Sequence, residues 1–323
     1  MSRRVLAGLM ILVCILAGVG VFLFFQQKKE SEQLPSAVVS EEETAASDTV
    51  TYHGQTYVYN SDLTNVLFLG VDKEADSVAG ETVGRNGQAD CILLLIMNRA
   101  TRETKLLQIS RDSMTDIDIY GITGSYLTTE RHQLALQYAF GESDARSCWL
   151  MKEAVSKLLY SVPIRSTMAL SVDGIGKITE AMGGVTLTVP EDYTSVDPSF
   201  VQGVTLNLQG ELAEKYVRYR DVTVTGSNND RIERQNQFLQ ALFRQLQMVD
   251  ADTFQQILDT ADPYLTTDLS VEELQNLREY TMSEEIAEVP GAVAPGPEHE
   301  EFTVDEQRLY ELVLELFYVP ENQ

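Results

Sequence analysis

The sequence predicts a layered α/β/α domain with a central mixed β-sheet, preceded by one N-terminal transmembrane helix. Three observations predict it. Val5 to Phe25 is an unbroken apolar run, Asn65 to Val71, Cys91 to Met97 and Lys105 to Ser110 are short apolar strand-like runs, and from Leu134 onward helix and strand patterns alternate.

The elements follow in order. At 1.5 Å per residue the N-terminal run spans about 30 Å, enough for a hydrocarbon core and too long for a signal-peptide h-region. A short Arg-containing N-terminus stays inside, so the rest faces outward. Residues 1–29 are therefore read as a cytoplasmic N-terminus and membrane helix. Residues 30–50, rich in Glu, Ser and Ala without periodicity, are read as a flexible acidic linker, and residues 51–323 as an extracellular globular domain. Thr51 to Asn60 reads as a hairpin around His53-Gly54. The polar turn Asn98 to Thr104 predicts that the strands on either side of it pair antiparallel.

Leu134 to Phe140 and Ser147 to Tyr160 have helical spacing, Ile164 to Ser171 reads as a strand, Gly174 to Met182 as a helix and Gly184 to Val189 as a strand. Gly210 to Val217 and Asp230 to Val249 follow as helices. Asp252 to Leu258, Ser270 to Met282 and Val304 to Phe317 are three more, with Ile286 to Val289 a short strand. Tyr138, Phe140, Trp149 and the Leu158-Leu159 pair read as core, and Cys91 and Cys148 as buried small side chains, a single bridge between them being left open but not indicated.

Charge points to the ligand. The chain carries −25, with four of its positive charges and no acid in residues 1–29, which leaves −29 on the remainder. Such a balance excludes nucleic acid as a partner. Against it, Arg218, Arg220, Arg231 and Arg234 fall within seventeen residues. Asp230 is placed to cap the helix that carries Arg231 and Arg234 on one face, where an anion can dock. Pairing with surface carboxylates is the other use for these arginines. Asp72, Asp90, Arg111 and Asp112 each stand at a strand end. His53, His132 and His299 are scattered without metal-ligand spacing, and no Gly-x-Ser-x-Gly elbow occurs.

Seven segments in order carry a resemblance. They are Asn65-Val-Leu-Phe-Leu-Gly-Val-Asp72, Gln88-Ala-Asp90, Ile109-Ser-Arg-Asp112, Tyr138-Ala-Phe-Gly141, Met182-Gly-Gly-Val185, Tyr216-Val-Arg-Tyr-Arg220 and Asp230-Arg-Ile-Glu-Arg-Gln235. Together they resemble the LytR-CpsA-Psr family over roughly residues 62–250. The resemblance implies a membrane-anchored transferase that moves a glycan from a polyprenyl pyrophosphate carrier onto peptidoglycan through a phosphodiester link. Mg2+ would act at the pyrophosphate, and the lipid tail would lie in an apolar tunnel.

By motif position the resemblance makes Asp72 and Asp90 the Mg2+ carboxylates and Arg111, Arg218, Arg220, Arg231 and Arg234 the pyrophosphate clamp, with Gln235 in support. Arg111, Asp112 and Asp90 are the candidate catalytic residues. Three positions depart from the family pattern: Gln88 stands where the family has Arg, Ser110 where it has Pro, and Gln133 where it has Lys. Arg85 is the candidate replacement for the first. A carrier pyrophosphatase and a non-catalytic binding protein are the rival readings.

Overall fold

The apolar runs do become the middle of a sheet. In this computed structural model, which describes residues 49–72, 83, 87–219, 227–296 and 300–321 (227–230 by backbone only), the first strands are β1 (Thr49–Tyr52) and β2 (Gln55–Tyr59). Three long strands follow, β3 (Leu63–Asp72), β4 (Gln88–Asn98) and β5 (Glu103–Ile109). Next come the hairpin β6 (Met114–Tyr120) and β7 (Tyr126–Gln133), a 3-10 helix at Leu134–Phe140, α1 (Asp144–Leu158) and β8 (Ser166–Ser171). The chain continues through α2 (Gly174–Ala181), β9 (Val185–Thr188), β10 (Thr205–Leu208), α3 (Gly210–Arg218) and α4 (Ser227–Met248). It ends with α5 (Ala251–Ala261), β11 (Leu265–Thr267), α6 (Val271–Leu277), β12 (Thr281–Glu288), β13 (Gly291–Pro295), β14 (Glu300–Val304), α7 (Glu306–Phe317) and β15 (Tyr318–Pro320).

The main sheet has the order β11-β8-β3-β4-β5-β12 and is mixed, with β3/β8 and β5/β12 parallel and β3/β4 and β4/β5 antiparallel. Both faces are covered, which is why β3 and β4 read as continuous apolar runs instead of alternating ones. On one face Phe68, Cys91, Leu93 and Leu95 pack with side chains of α2, α3, α4 and α5. On the other, Leu67, Leu69, Ile92 and Leu94 pack with α1, α7 and the 3-10 helix. This is the layered α/β/α arrangement.

A bulge in β4 positions the site. Gly70 pairs with Cys91 and Val71 with Ala89, so Asp90 is the extra residue between two partners of β3. An inserted residue re-aims side chains at that point. Here Ala89 turns with Val71 to the α1 face, while Cys91 keeps to the α4 face. Gly70 permits the close approach: a Cβ there would stand 2.9 Å from that of Cys91. At Gly184, φ is +98° and an added Cβ would meet the Asn207 side chain, so the Gly-Gly break before β9 needs glycine.

Several expectations change. The Leu134 segment is a 3-10 helix, and the Ser270–Met282 helix stops at Leu277 so that Thr281–Glu288 can join β5 as a parallel edge strand. The Val304 helix starts at Glu306, because Glu300–Val304 is a strand. Trp149 is 41 % exposed instead of buried in the core, with Arg146 stacked 4.0 Å over its ring, while Tyr138 and Leu159 are core. Cys91 and Cys148 are free and buried. The expected membrane helix and acidic linker lie outside the described residues, apart from the start of β1, as does His299. Among the described residues no helix is long and apolar enough to cross a membrane.

Candidate functional site

The antiparallel pairing of β3 with β4 brings the end of one and the start of the other to a single sheet edge, where Asp72 lies opposite Gln88. Beside that edge is a cavity of about 280 Å³. Its polar wall holds Asp72, Asp90, Arg218, Arg231 and Gln235; its apolar wall includes Phe68, Leu170, Phe238 and Leu242. Five of the residues singled out in the sequence therefore meet at one concavity.

Asp90 is held from two sides. One carboxylate oxygen accepts from Arg111 Nη1 and the other from Arg231 Nη1 at 3.5 Å. Arg111 is gripped in turn: its Nη2 donates to Gln88 Oε1, and its Nε lies 3.5 Å from Asp112 Oδ1. Gln133 Nε2 donates to Asp112 Oδ1 at 3.1 Å and to the Glu300 carbonyl at 2.9 Å. The two glutamines that depart from the family pattern thus brace this network as neutral amides. Arg111 stands behind Asp90, one contact back from the cavity wall, and Asp112 stands behind Arg111.

Asp72 is more open, its side chain 56 % exposed, and accepts from Arg218 Nη2 at 3.2 Å. Arg218, the last residue of α3, also reaches Asp173 Oδ1 at 3.2 Å with Nη1. Asp173 was not foreseen, although an aspartate immediately before a helix that begins with Gly174 is a recognisable capping signal.

Arg234 does something else. It is 2 % exposed, its Nε donates to the Tyr216 carbonyl at 2.8 Å, its Nη2 donates to the Tyr219 carbonyl, and its guanidinium lies 4.9 Å from the Tyr193 ring centroid. It ties α4 to the carbonyls that end α3, which a cation near a helix C-terminus does well. Gln235 adds a bond to the Val217 carbonyl at 3.1 Å. Arg234→Lys is expected to lose about 1.5–3 kcal/mol of stability, because an ammonium cannot span both carbonyls and stack on the ring. Urea unfolding checks this, and an unchanged midpoint would contradict it.

The capping reading of Asp230 is corrected: α4 begins at Ser227, so Asp230 lies inside its first turn. Arg85 and Arg220 lie outside the described residues.

The cavity continues into apolar surroundings. Phe68, Leu170 and Leu242 line both the polar cavity and a second one of about 130 Å³, whose wall also includes Leu95, Phe243 and Ile257. Burial, with Asp90 nearby, pushes the Cys91 thiol up to about 12, so that part of the wall stays neutral at ordinary pH.

The donor set fits a hard divalent cation with few protein ligands. Asp72 and Asp90 are carboxylates on one cavity, and no group of three or more His, Cys, Asp or Glu suited to a metal occurs among the described residues. A cation held there would draw its remaining ligands from phosphate oxygens and water, as Mg2+ does.

Known proteins share this sequence pattern and fold. The chain is 25% identical over 273 residues to the polyisoprenyl-teichoic acid–peptidoglycan teichoic acid transferase TagU of Oceanobacillus iheyensis, covering 84% of this chain and 78% of that one. Among solved structures, Bacillus subtilis TagV superposes with a TM-score of 0.60 at 22% identity, over 80% of this chain and 98% of that one. TagT bound to LIIa-WTA gives 0.58 at 22% identity, over 79% and 90%. At these identities the structures establish the fold alone. The model of the LytR_cpsA_psr family matches residues 21–314, a span that takes in every residue of the cavity, and the chain belongs to that family.

Proposed function

We infer that this protein is a glycopolymer–peptidoglycan transferase whose donor is a glycan on a polyprenyl pyrophosphate. The single observation that carries the reading is a pair of adjoining cavities that share Phe68, Leu170 and Leu242. Guanidinium and carboxylate groups line one cavity and mainly apolar side chains line the next beyond Phe68, Leu170 and Leu242, an arrangement suited to a charged head on a hydrocarbon tail. The catalytic domain is read as extracellular and anchored by the apolar run Val5 to Phe25.

Arg218 and Arg231 bind the pyrophosphate from the wall by charge-assisted contacts, with Gln235 beside them. Arg111 and Asp112 act from behind: they fix the direction in which Asp90 points. Asp72 and Asp90 are the carboxylates that would hold Mg2+, which when bound supplies charge neutralisation for the phosphate oxygens. An acceptor hydroxyl of peptidoglycan forms a bond to the glycan-side phosphorus. The bond from that phosphorus to the bridging oxygen breaks, and polyprenyl phosphate leaves. The hydroxyl proton passes to water on the open, Asp72 side of the cavity.

Binding tests this reading. Affinity of the full chain for prenyl pyrophosphates should rise with tail length, by up to about 0.8 kcal/mol per buried methylene, above that for inorganic pyrophosphate. Calorimetry across a series of chain lengths measures it. Equal affinity for all lengths would contradict a lipid-linked donor.

A further inference from the structure

Asp173 occupies the N-cap position of α2 and does not cap it. Its backbone is helical, at φ −67° and ψ −19°, and its side chain makes no capping hydrogen bond. An aspartate at this position ordinarily accepts from a backbone N–H of the first turn. Here the carboxylate turns to Arg218 instead. Arg218 therefore spans two carboxylates with two nitrogens at the same distance, Nη1 to Asp173 and Nη2 to Asp72, 3.2 Å each.

The two carboxylates differ in place. Asp72 lines the cavity and is the candidate cation ligand, whereas its neighbours Val172 and Ile175, but not Asp173 itself, contribute to the wall on the α2 side. Glu214 adds negative charge near Asp173: burial, then the Asp173 charge, raises its carboxyl above the ordinary range. The Asp173 side can thus keep a guanidinium when the Asp72 side no longer needs one. A guanidinium and a divalent cation on one carboxylate repel each other, so on the exposed Asp72, whose Arg218 has a second partner in Asp173, a cation weakens the Arg218 contact.

We propose that Arg218 is an exchangeable internal counter-ion of Asp72, and that Asp173 is the positioning residue that retains it when a divalent cation takes the Asp72 carboxylate. Arg218 then stays at the cavity mouth with Nη2 released toward the phosphates. Without Asp173, Arg218 keeps Asp72 as its partner and competes with the cation. This rests on the reading of Asp72 as a cation ligand.

The test is Mn2+ binding to the full chain in detergent, followed by the paramagnetic resonance of free Mn2+, a hard cation with the same preference for oxygen. Surface carboxylates of so acidic a chain also bind Mn2+, so the quantity read is the part of the binding that Asp72→Asn removes. Asp173→Asn should weaken that part about two- to fivefold, the scale of one exposed ion pair. Arg218→Gln should tighten it, and adding Asp173→Asn to Arg218→Gln should change it little.

Equal weakening by Asp173→Asn in both backgrounds would mean that Asp173 acts by its charge alone, and would overturn the proposal. No weakening in either would overturn it as well. If Asp72→Asn removes no Mn2+ binding, the cation reading of Asp72 itself fails, a result separate from the other two. Should Asp173→Asn lower the melting temperature, Asp173→Ser, which is uncharged and able to cap α2, takes its place in the same cycle.

Discussion

Asp90→Asn is expected to lower glycan transfer by about a hundredfold or more. The substitution is nearly isosteric, so the loss is one of charge. Asp90 uses both oxygens, one on Arg111 and one on Arg231, whose side chains are only 16% and 9% exposed. Removing the anion takes from two largely buried guanidinium groups the carboxylate that they share, and breaking a buried ion pair costs about 3–5 kcal/mol. It also takes away one of the two carboxylates offered to Mg2+. Transfer rates and melting temperature should be measured together across Mg2+ concentrations. A folded variant with the wild-type rate and the wild-type Mg2+ dependence would remove Asp90 from the site.

Leu242→Trp is expected to separate tail from head. Leu242 lines both cavities, so a larger side chain crowds the boundary that they share. Keeping one five-carbon isoprene unit out of the apolar chamber forfeits about 3–4 kcal/mol, more than a hundredfold in affinity for a long-chain prenyl pyrophosphate. Affinity for inorganic pyrophosphate should stay at the wild-type value, because the polar wall is untouched. Overpacking costs about 1–3 kcal/mol of stability, which a thermal melt quantifies. If long-chain affinity survives, the chamber does not hold the tail.

The parts of the fold that could be read from the residues are those where burial imposes a pattern. The middles of β3 and β4 are continuous apolar runs, and the polar turn between β4 and β5 made the antiparallel pairing of those two plain. The same runs hid the bulge at Asp90: a strand buried on both faces has no alternation for an inserted residue to break. The β6–β7 hairpin escaped because Tyr126–Gln133 is polar and mostly exposed, so no periodic core signal marks it. Of Thr281–Glu288, only the end from Ile286 reads as strand and Thr281-Met282 reads as the end of a helix; pairing with β5 makes the whole segment an edge strand.

The site was legible as chemistry and only partly as geometry. Arginines that run against an acidic chain pointed to an anion, the family resemblance added Asp72, Asp90 and Gln235, and these three share one cavity with Arg218 and Arg231. Arg234 has the same residue type and spacing as Arg231 but serves the carbonyls of Tyr216 and Tyr219. Backbone acceptors leave no trace in a sequence, so that use could not be read there. Asp173 was missed because an aspartate before a helix looks like a cap, and only its contact with Arg218 says otherwise.

The most direct test of the central claim supplies the purified full chain with a polyprenyl-pyrophosphate-linked glycan labelled in both the glycan and its adjacent phosphate, together with peptidoglycan and Mg2+. After washing in detergent, both labels are counted on the insoluble wall. The account predicts that glycan and phosphate are retained in equal amounts, that polyprenyl phosphate is released in step with them, and that Asp90→Asn abolishes both. Release of the label into water with none on the wall would contradict it and identify a carrier pyrophosphatase instead.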